Sequence, residues 1–411
     1  MLRGIADGTW LTWPRMRAIA LICGATSLLL LLYLFATATG TLDVYGRPLG
    51  TDFSNVWTAG RMAILGAAPD AWDWPKHFAF QQAAHHSTSV PFYGWHYPPP
   101  FLLVASLLAL LPYVPALIVW QLSTLSAAAL LLRKIVPDRR TWLLGLTAPV
   151  VFVCAGHGHN GFLTAALLGG GLFLLERRPF WAGILLGCLV YKPQFALLIP
   201  PLLLVTGNWR ALVGAAMSAA LLVSATFACW GWPVWEAFLR SLPLTRTVII
   251  ENGATGWQKI QSPFAMIRMW GGGVEAAYAV QGIATAASIV IALWLARRSK
   301  AEVRNAAVMA AAILSTPYVL DYDYVVLGFG AAFLIADGLH RGFLSYEKSL
   351  VALFWIAPLF ARQLAEMTLV PLGQATALAV LWLAARRAIV LDGALAFRSL
   401  SFHRSRGWSG R

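Results

Sequence analysis

From Ala18 to Ala38 the chain runs without one charged side chain. In a helix rising 1.5 Å per residue such a run reaches about 30 Å, the thickness of a bilayer's hydrocarbon core. Comparable apolar stretches recur almost to the end of the 411 residues, so that 59% of the chain is hydrophobic and 12% charged. A typical soluble protein carries roughly 25% charged residues. Too few polar groups remain here to clothe a water-facing surface, which excludes a soluble enzyme and a disordered regulator. An all-α integral membrane protein is left, because in lipid a helix satisfies its own backbone hydrogen bonds.

Read at about 20 residues per crossing, and fewer where protein shelters the segment, the sequence predicts about twelve spans. They fall near 18–38, 114–132, 141–156, 161–175, 179–191, 193–206, 211–230, 274–296, 305–318, 322–337, 349–361 and 368–385. Ala36-Thr37-Ala38 offers a small-residue cleavage site, but the apolar core before it is long for a signal peptide, so an uncleaved anchor is expected. The segment 98–112, set between Pro98-Pro99-Pro100 and Pro112, has the length of a short re-entrant or interfacial helix. Counting it so places both termini in the cytoplasm and gathers most of the 31 Lys and Arg residues there, as the positive-inside rule asks. The long loops 39–97 and 231–273 then both lie outside, a transmembrane unit covers 1–390, and 391–411 forms a basic cytoplasmic tail. Arg398, His403, Arg404, Arg406 and Arg411 read as lipid anchors in that tail.

The net charge of +14 is explained by those anchors; no basic patch interleaved with aromatics points to nucleic acid. Cys23, Cys154, Cys188 and Cys229 each sit alone in apolar sequence and read as small core residues.

Polar chemistry collects in the first outer loop. Asp52, Asp70, Asp73, His77, His85, His86 and His96 share it with Trp57, Trp72, Trp74, Tyr93, Trp95 and Tyr97. Carboxylates that grip hydroxyls and ring faces that stack on sugar C–H groups suit saccharide recognition, and the same mixture suits an interfacial aromatic belt. Asp52, just before a helical pattern from Asn55 to Leu65, could equally be an N-terminal cap.

The string Asp52-x4-Trp57-x-Ala59-Gly60-x5-Gly66, followed by Tyr97-Pro98-Pro99, resembles family 87 glycosyltransferases. These are membrane enzymes with a GT-C fold that take sugars from polyprenyl-phosphate donors, mannosyltransferases being the best-known members. Gly158-His159-Asn160, Arg178-Pro179 with Ala182-Gly183-x3-Gly187, Lys192-Pro193, and Thr316-Pro317 before Asp321-Tyr322-Asp323 extend the resemblance over about 15–340. It implies a GT-C-type helical bundle in a bacterial inner (cytoplasmic) membrane, with its active site on the extracytoplasmic side. An acidic residue at the outer end of the first span is the catalytic base of such enzymes, and by position that is Asp52. The turn 316–324 departs from the mannosyltransferase pattern of Ser-Pro followed by histidines, which weakens the implication of mannose.

Inverting transfer of a hexose to a lipid or glycan acceptor needs a base for the acceptor hydroxyl, a partner for the charge on the leaving phosphate, and a groove for the lipid chain. Lys192, ionisable between two short apolar segments, is the first candidate for phosphate, with His159 and Asn160 on the same face. Trp57, His96 and Tyr97, with Gln258 and Lys259 of the second outer loop, are candidates for binding substrate. Arg240, Arg246, Glu251, Asn252 and Arg268 share that second loop without being singled out. No metal or other cofactor is expected, the lipid-linked sugar being a co-substrate. A transporter or flippase of a lipid-linked saccharide is the alternative the residues leave open.

Overall fold

The computed structural model of the protein describes residues 2–393. The tail residues singled out above, and the rest of the chain from 394 onward, lie outside the described residues. Within them every named element is a helix, and extended pairing is confined to isolated bridges such as Ile260 with Leu320.

Six helices are long and apolar enough to cross a bilayer: Trp13–Ala36, Tyr113–Ile135, Trp209–Trp230, Val274–Arg298, Asp321–Arg341 and Leu372–Asp392. A seventh crossing is available if Glu347–Leu359 and Ala361–Thr368, bent by 81° against each other, act as one broken span. The chain is thus a multi-pass membrane protein, but the expected count of about twelve spans is corrected to six or seven. Prolines and burial explain the difference. The expected span 141–156 is divided at Pro149 into Arg140–Leu146 and Pro149–Gly156, because a residue before proline is pushed out of helical conformation. The stretch 193–206 forms the short helices Pro193–Ala196 and Ile199–Val205, which together remain too short to count as a span. Ala301–Leu314 is a 14-residue helix buried from Val303 to its end. Its hydrophobicity serves protein contacts, as is usual for apolar runs of that length.

The segment 98–112 holds the short helix Pro100–Leu108, which lies directly on Phe53–Ile64. A Cβ at Gly60 would stand 2.1 Å from the Ala105 carbonyl oxygen, so only glycine permits this contact. Gly183 does the same between Pro179–Gly187 and Trp209–Trp230, where a Cβ would meet the Ala211 oxygen at 2.0 Å. Small residues at a crossing let backbones approach and gain dispersion contacts that lipid cannot replace. The glycines of two resembling motifs are therefore packing residues.

The bundle has two chemically distinct ends. At one, Arg387 is fully buried and donates to Asp337 and Glu347, while Arg341 donates to Asp337 and Asp392. Arg386 bonds the Ser345 carbonyl, and Trp10 bonds Ser349 at this same end. The opposite end carries Asp52 and a folded cap. Residues 39–97 supply a tight turn around Asp43, the helices Phe53–Ile64 and Trp74–Ala84, and the single turn Ala68–Trp72. Buried polar contacts hold this cap: His85 shares hydrogen bonds with Thr41 and Ser54 (both 2.7 Å), and Gln81 bridges Ser54 to the backbone of Tyr93. The second long loop adds Pro263–Met269 and Trp232–Thr245, the latter meeting the cap through His96 and Thr245.

Candidate active site

Asp52 is positioned by main chain. Gly50 (φ 68°) and Gly158 (φ 60°) adopt left-handed conformations that side chains disfavour, and a Cβ on Gly158 would strike the Gly50 oxygen at 2.8 Å. The two turns consequently touch, and the Asp52 N–H donates to the His157 carbonyl at 3.0 Å. Although Asp52 occupies the residue before Phe53–Ile64, its side chain makes no capping bond. The carboxylate is half-buried, and it has neither an ion pair nor a hydrogen-bond donor among the described residues. Burial first, and the Asp52 charge next, push the phenols of Tyr93, Tyr97 and Tyr318 up. The carboxylate thus lies in the neighbourhood of neutral phenols and keeps its lone pairs unused.

Beside it a buried cluster joins several residues that stand far apart in sequence. Lys192 donates to Asp323 at 2.5 Å and to Asn160 Oδ1 at 3.1 Å, with its ammonium 5.0 Å from the centre of the Phe195 ring. His159 stacks on Tyr322 with centroids 3.6 Å apart and meets the Tyr97 hydroxyl through Nε2 at 3.3 Å. Burial, and then the neighbouring Lys192 charge, hold His159 well below the usual histidine range, so the ring is neutral. The ammonium of Lys192 is already matched by Asp323. What this wall still offers is His159 Nδ1 and Asn160 Nδ2, both buried with no hydrogen-bond partner.

A second chain of contacts runs behind Asp52. Asp321 forms a two-pronged ion pair with Arg362, whose Nη2 donates to His157 Nε2 at 2.8 Å. His157 Nδ1 in turn bonds Thr51 Oγ1 at 2.7 Å. Burial pushes the His157 pKa down, so this ring too is neutral.

Sequence reasoning had placed Asp52, Tyr97, His159, Asn160 and Lys192 at the site, and the structure gathers the last four around one cluster. Lys259 is half-buried, forms no ion pair with any described residue, and its charge acts on His157. Gln258 accepts from Gln261 Nε2 through its backbone oxygen, in a loop paired to the 318–324 turn by the Gln261–Val319 bond. Trp57 and His96 lie apart from the cluster. The Trp57 indole donates to the Leu111 carbonyl at 3.0 Å, and His96 faces Trp74 and Thr245. Sequence reasoning missed the roles of Asp323, Asp321, Arg362, His157 and Thr51. One signal was present: Asp321, Asp323 and Arg362 are charges within apolar stretches, where an unpaired ion costs roughly 2.5–3.5 kcal/mol and partners are required.

The model of glycosyltransferase family 87 matches residues 95–320. That range contains Tyr97, His159, Asn160, Lys192, Gln258 and Lys259 and begins after Asp52. No curated protein and no solved structure matches the chain. With more than half of its length matched, and with its helical membrane bundle, the chain belongs to glycosyltransferase family 87.

Proposed function

We propose that this glycosyltransferase, as a GT-C-type unit, transfers a hexose, mannose being our choice, from a polyprenyl-phosphate sugar to a lipid or glycan acceptor with inversion. The reaction is assigned to the extracytoplasmic face of a bacterial inner membrane. The acceptor oxygen forms a bond to the anomeric carbon while the bond from that carbon to the phosphate oxygen breaks. The acceptor proton passes to Asp52, and the electron pair leaves with the polyprenyl phosphate. Asp52 is suited to this role because its carboxylate is half-exposed and unengaged, the observation on which the proposal rests. Asn160, held by Lys192, and His159, held by Tyr97 and Tyr322, supply hydrogen-bonding capacity on the donor side, and Lys259 supplies a cation not matched within the described residues. Tyr97 and Gln258 stand beside this path, with Trp57 and His96 farther out toward the acceptor. Family membership favours transfer over a transporter or flippase.

Asp52→Asn keeps shape and removes basicity. In detergent, with polyprenyl-phosphate mannose and membrane extract, transfer by this variant is expected to fall by about 10²–10⁴-fold, the range of a general base. Near-normal transfer would reject Asp52 as the base.

A further inference from the structure

An apolar cavity of about 690 Å³ runs beside the helix Val325–Arg341, from Asp321 and Tyr324 at the end nearer Asp52 to a far mouth at the basic end. It is lined on that helix from Val325 to Leu339, about 21 Å of helical rise against about 15 Å for one leaflet of hydrocarbon. Leu125, Leu132, Phe162 and Phe329 contribute to its walls, and Met16 and Ile19 to its flank. Gly328 is exposed within the otherwise buried stretch 321–334, and a Cβ there would meet nothing within 4 Å. The helix therefore presents a smooth slot where a packed core would place a side chain.

The far mouth of the cavity carries Arg140 and Lys348, with Trp10 and Asp138 beside them. Both cations are exposed and neither forms an ion pair with a described residue. Each is steadied instead over an aromatic ring, Arg140 over Trp13 at 4.9 Å and Lys348 over Phe343 at 5.4 Å. Asp138 accepts the Arg140 backbone N–H at 2.8 Å and keeps its charge, so the mouth carries two cations against one carboxylate.

We propose that this cavity binds an anionic phospholipid, with its phosphate at Arg140 and Lys348 and one acyl chain in the slot along Gly328. An apolar trough of chain length ending in unmatched cations complements a lipid with a negative head, and a basic residue near such heads is favourable. The position of the cations selects the occupant. A donor phosphate must react beside Asp52, whereas these cations lie at the basic end with Trp10 and Ser349; the chain that fits comes from the leaflet at that end.

Native mass spectrometry of the full chain in detergent, titrated separately with phosphatidylglycerol and phosphatidylcholine, tests this. One phosphatidylglycerol should be retained per protein, in preference to phosphatidylcholine. Gly328→Leu should abolish that retention by filling the slot. The double variant Arg140→Ala with Lys348→Ala should weaken phosphatidylglycerol binding about thirtyfold and leave phosphatidylcholine unchanged. Both of its substitutions are on the surface, so it stays informative should the leucine impair folding. Equal retention of the two lipids, or a double variant that binds like the wild type, would overturn the proposal. Displacement of the bound phosphatidylglycerol by a polyprenyl phosphate would also overturn it, reassigning the cavity to the donor chain.

Discussion

Arg362 donates to His157 Nε2 at 2.8 Å, and a guanidinium has no lone pair to accept anything in return. The His157 proton must then sit on Nδ1, which donates it to Thr51 Oγ1. The Thr51 hydroxyl keeps its own hydrogen to give, one residue from Asp52. A remote ion pair thereby sets the direction of a hydrogen bond next to the proposed base.

Arg362→Met should therefore act in two ways. It leaves the nearly inaccessible Asp321 carboxylate without its ion-pair partner, which is expected to destabilise the protein by about 3–5 kcal/mol. It also frees His157 to change tautomer, so transfer should fall more than stability explains at temperatures where the variant is folded. Thermal melts and turnover in the same detergent separate these; a variant with wild-type turnover would dissociate the relay from chemistry.

Lys192→Met should be costly because Asp323 would be left as a buried, unmatched carboxylate, again at about 3–5 kcal/mol. Adding Asp323→Asn to Lys192→Met should recover much of the loss, since a neutral amide needs no counter-ion. Melting temperatures of the two single variants and the double form the cycle. Additive losses would mean that the two side chains do not act as a pair.

Acid should loosen the cap before the bundle. Burial pushes the pKa of His77 down to about 3 and those of His85 and His96 to about 4, against 6.5 for a free histidine. Unfolded rings then bind protons that the folded ones refuse, so stability is full above pH 6.5 and falls as the pH drops through 6.5 toward 4. The loss should be on the order of 3 kcal/mol per ring by pH 4, visible as faster hydrogen exchange in segment 74–97. Exchange that is unchanged between pH 7 and pH 4, after correction for intrinsic rates, would contradict neutral buried rings.

Gly183→Leu should destabilise by about 1–3 kcal/mol or more, because the new side chain begins 2.0 Å from the Ala211 oxygen. Gly282→Ala is the matched control, with nothing within 4 Å of its Cβ and a gain of up to about 1 kcal/mol from helix propensity. Melts of both variants should move in opposite directions.

Part of the candidate cluster was legible in the sequence alone. Tyr97, His159, Asn160 and Lys192 were singled out from separate motifs, and they meet in space. Their role was less legible than their place: that Lys192 is neutralised by Asp323, 131 positions away, has no trace in local pattern. Arg362 was hidden in the same way, as its partners Asp321 and His157 come from other segments. The helical membrane class followed from composition, whereas the number of crossings did not. Hydrophobicity reports exclusion from water and is blind to whether lipid or protein does the excluding; Ala301–Leu314 is apolar because helices surround it.

The first long helix, Trp13–Ala36, has only 6% of its apolar window buried, yet it leads directly into the segment bearing Asp52. Since Asp52 is clamped to the His157 turn by its own amide, its place does not depend on that helix alone, which otherwise contributes Met16 and Ile19 to the flank of the cavity. Thinning or thickening of the surrounding lipid can tilt that largely exposed helix while the Asp52 amide stays bonded to the His157 turn.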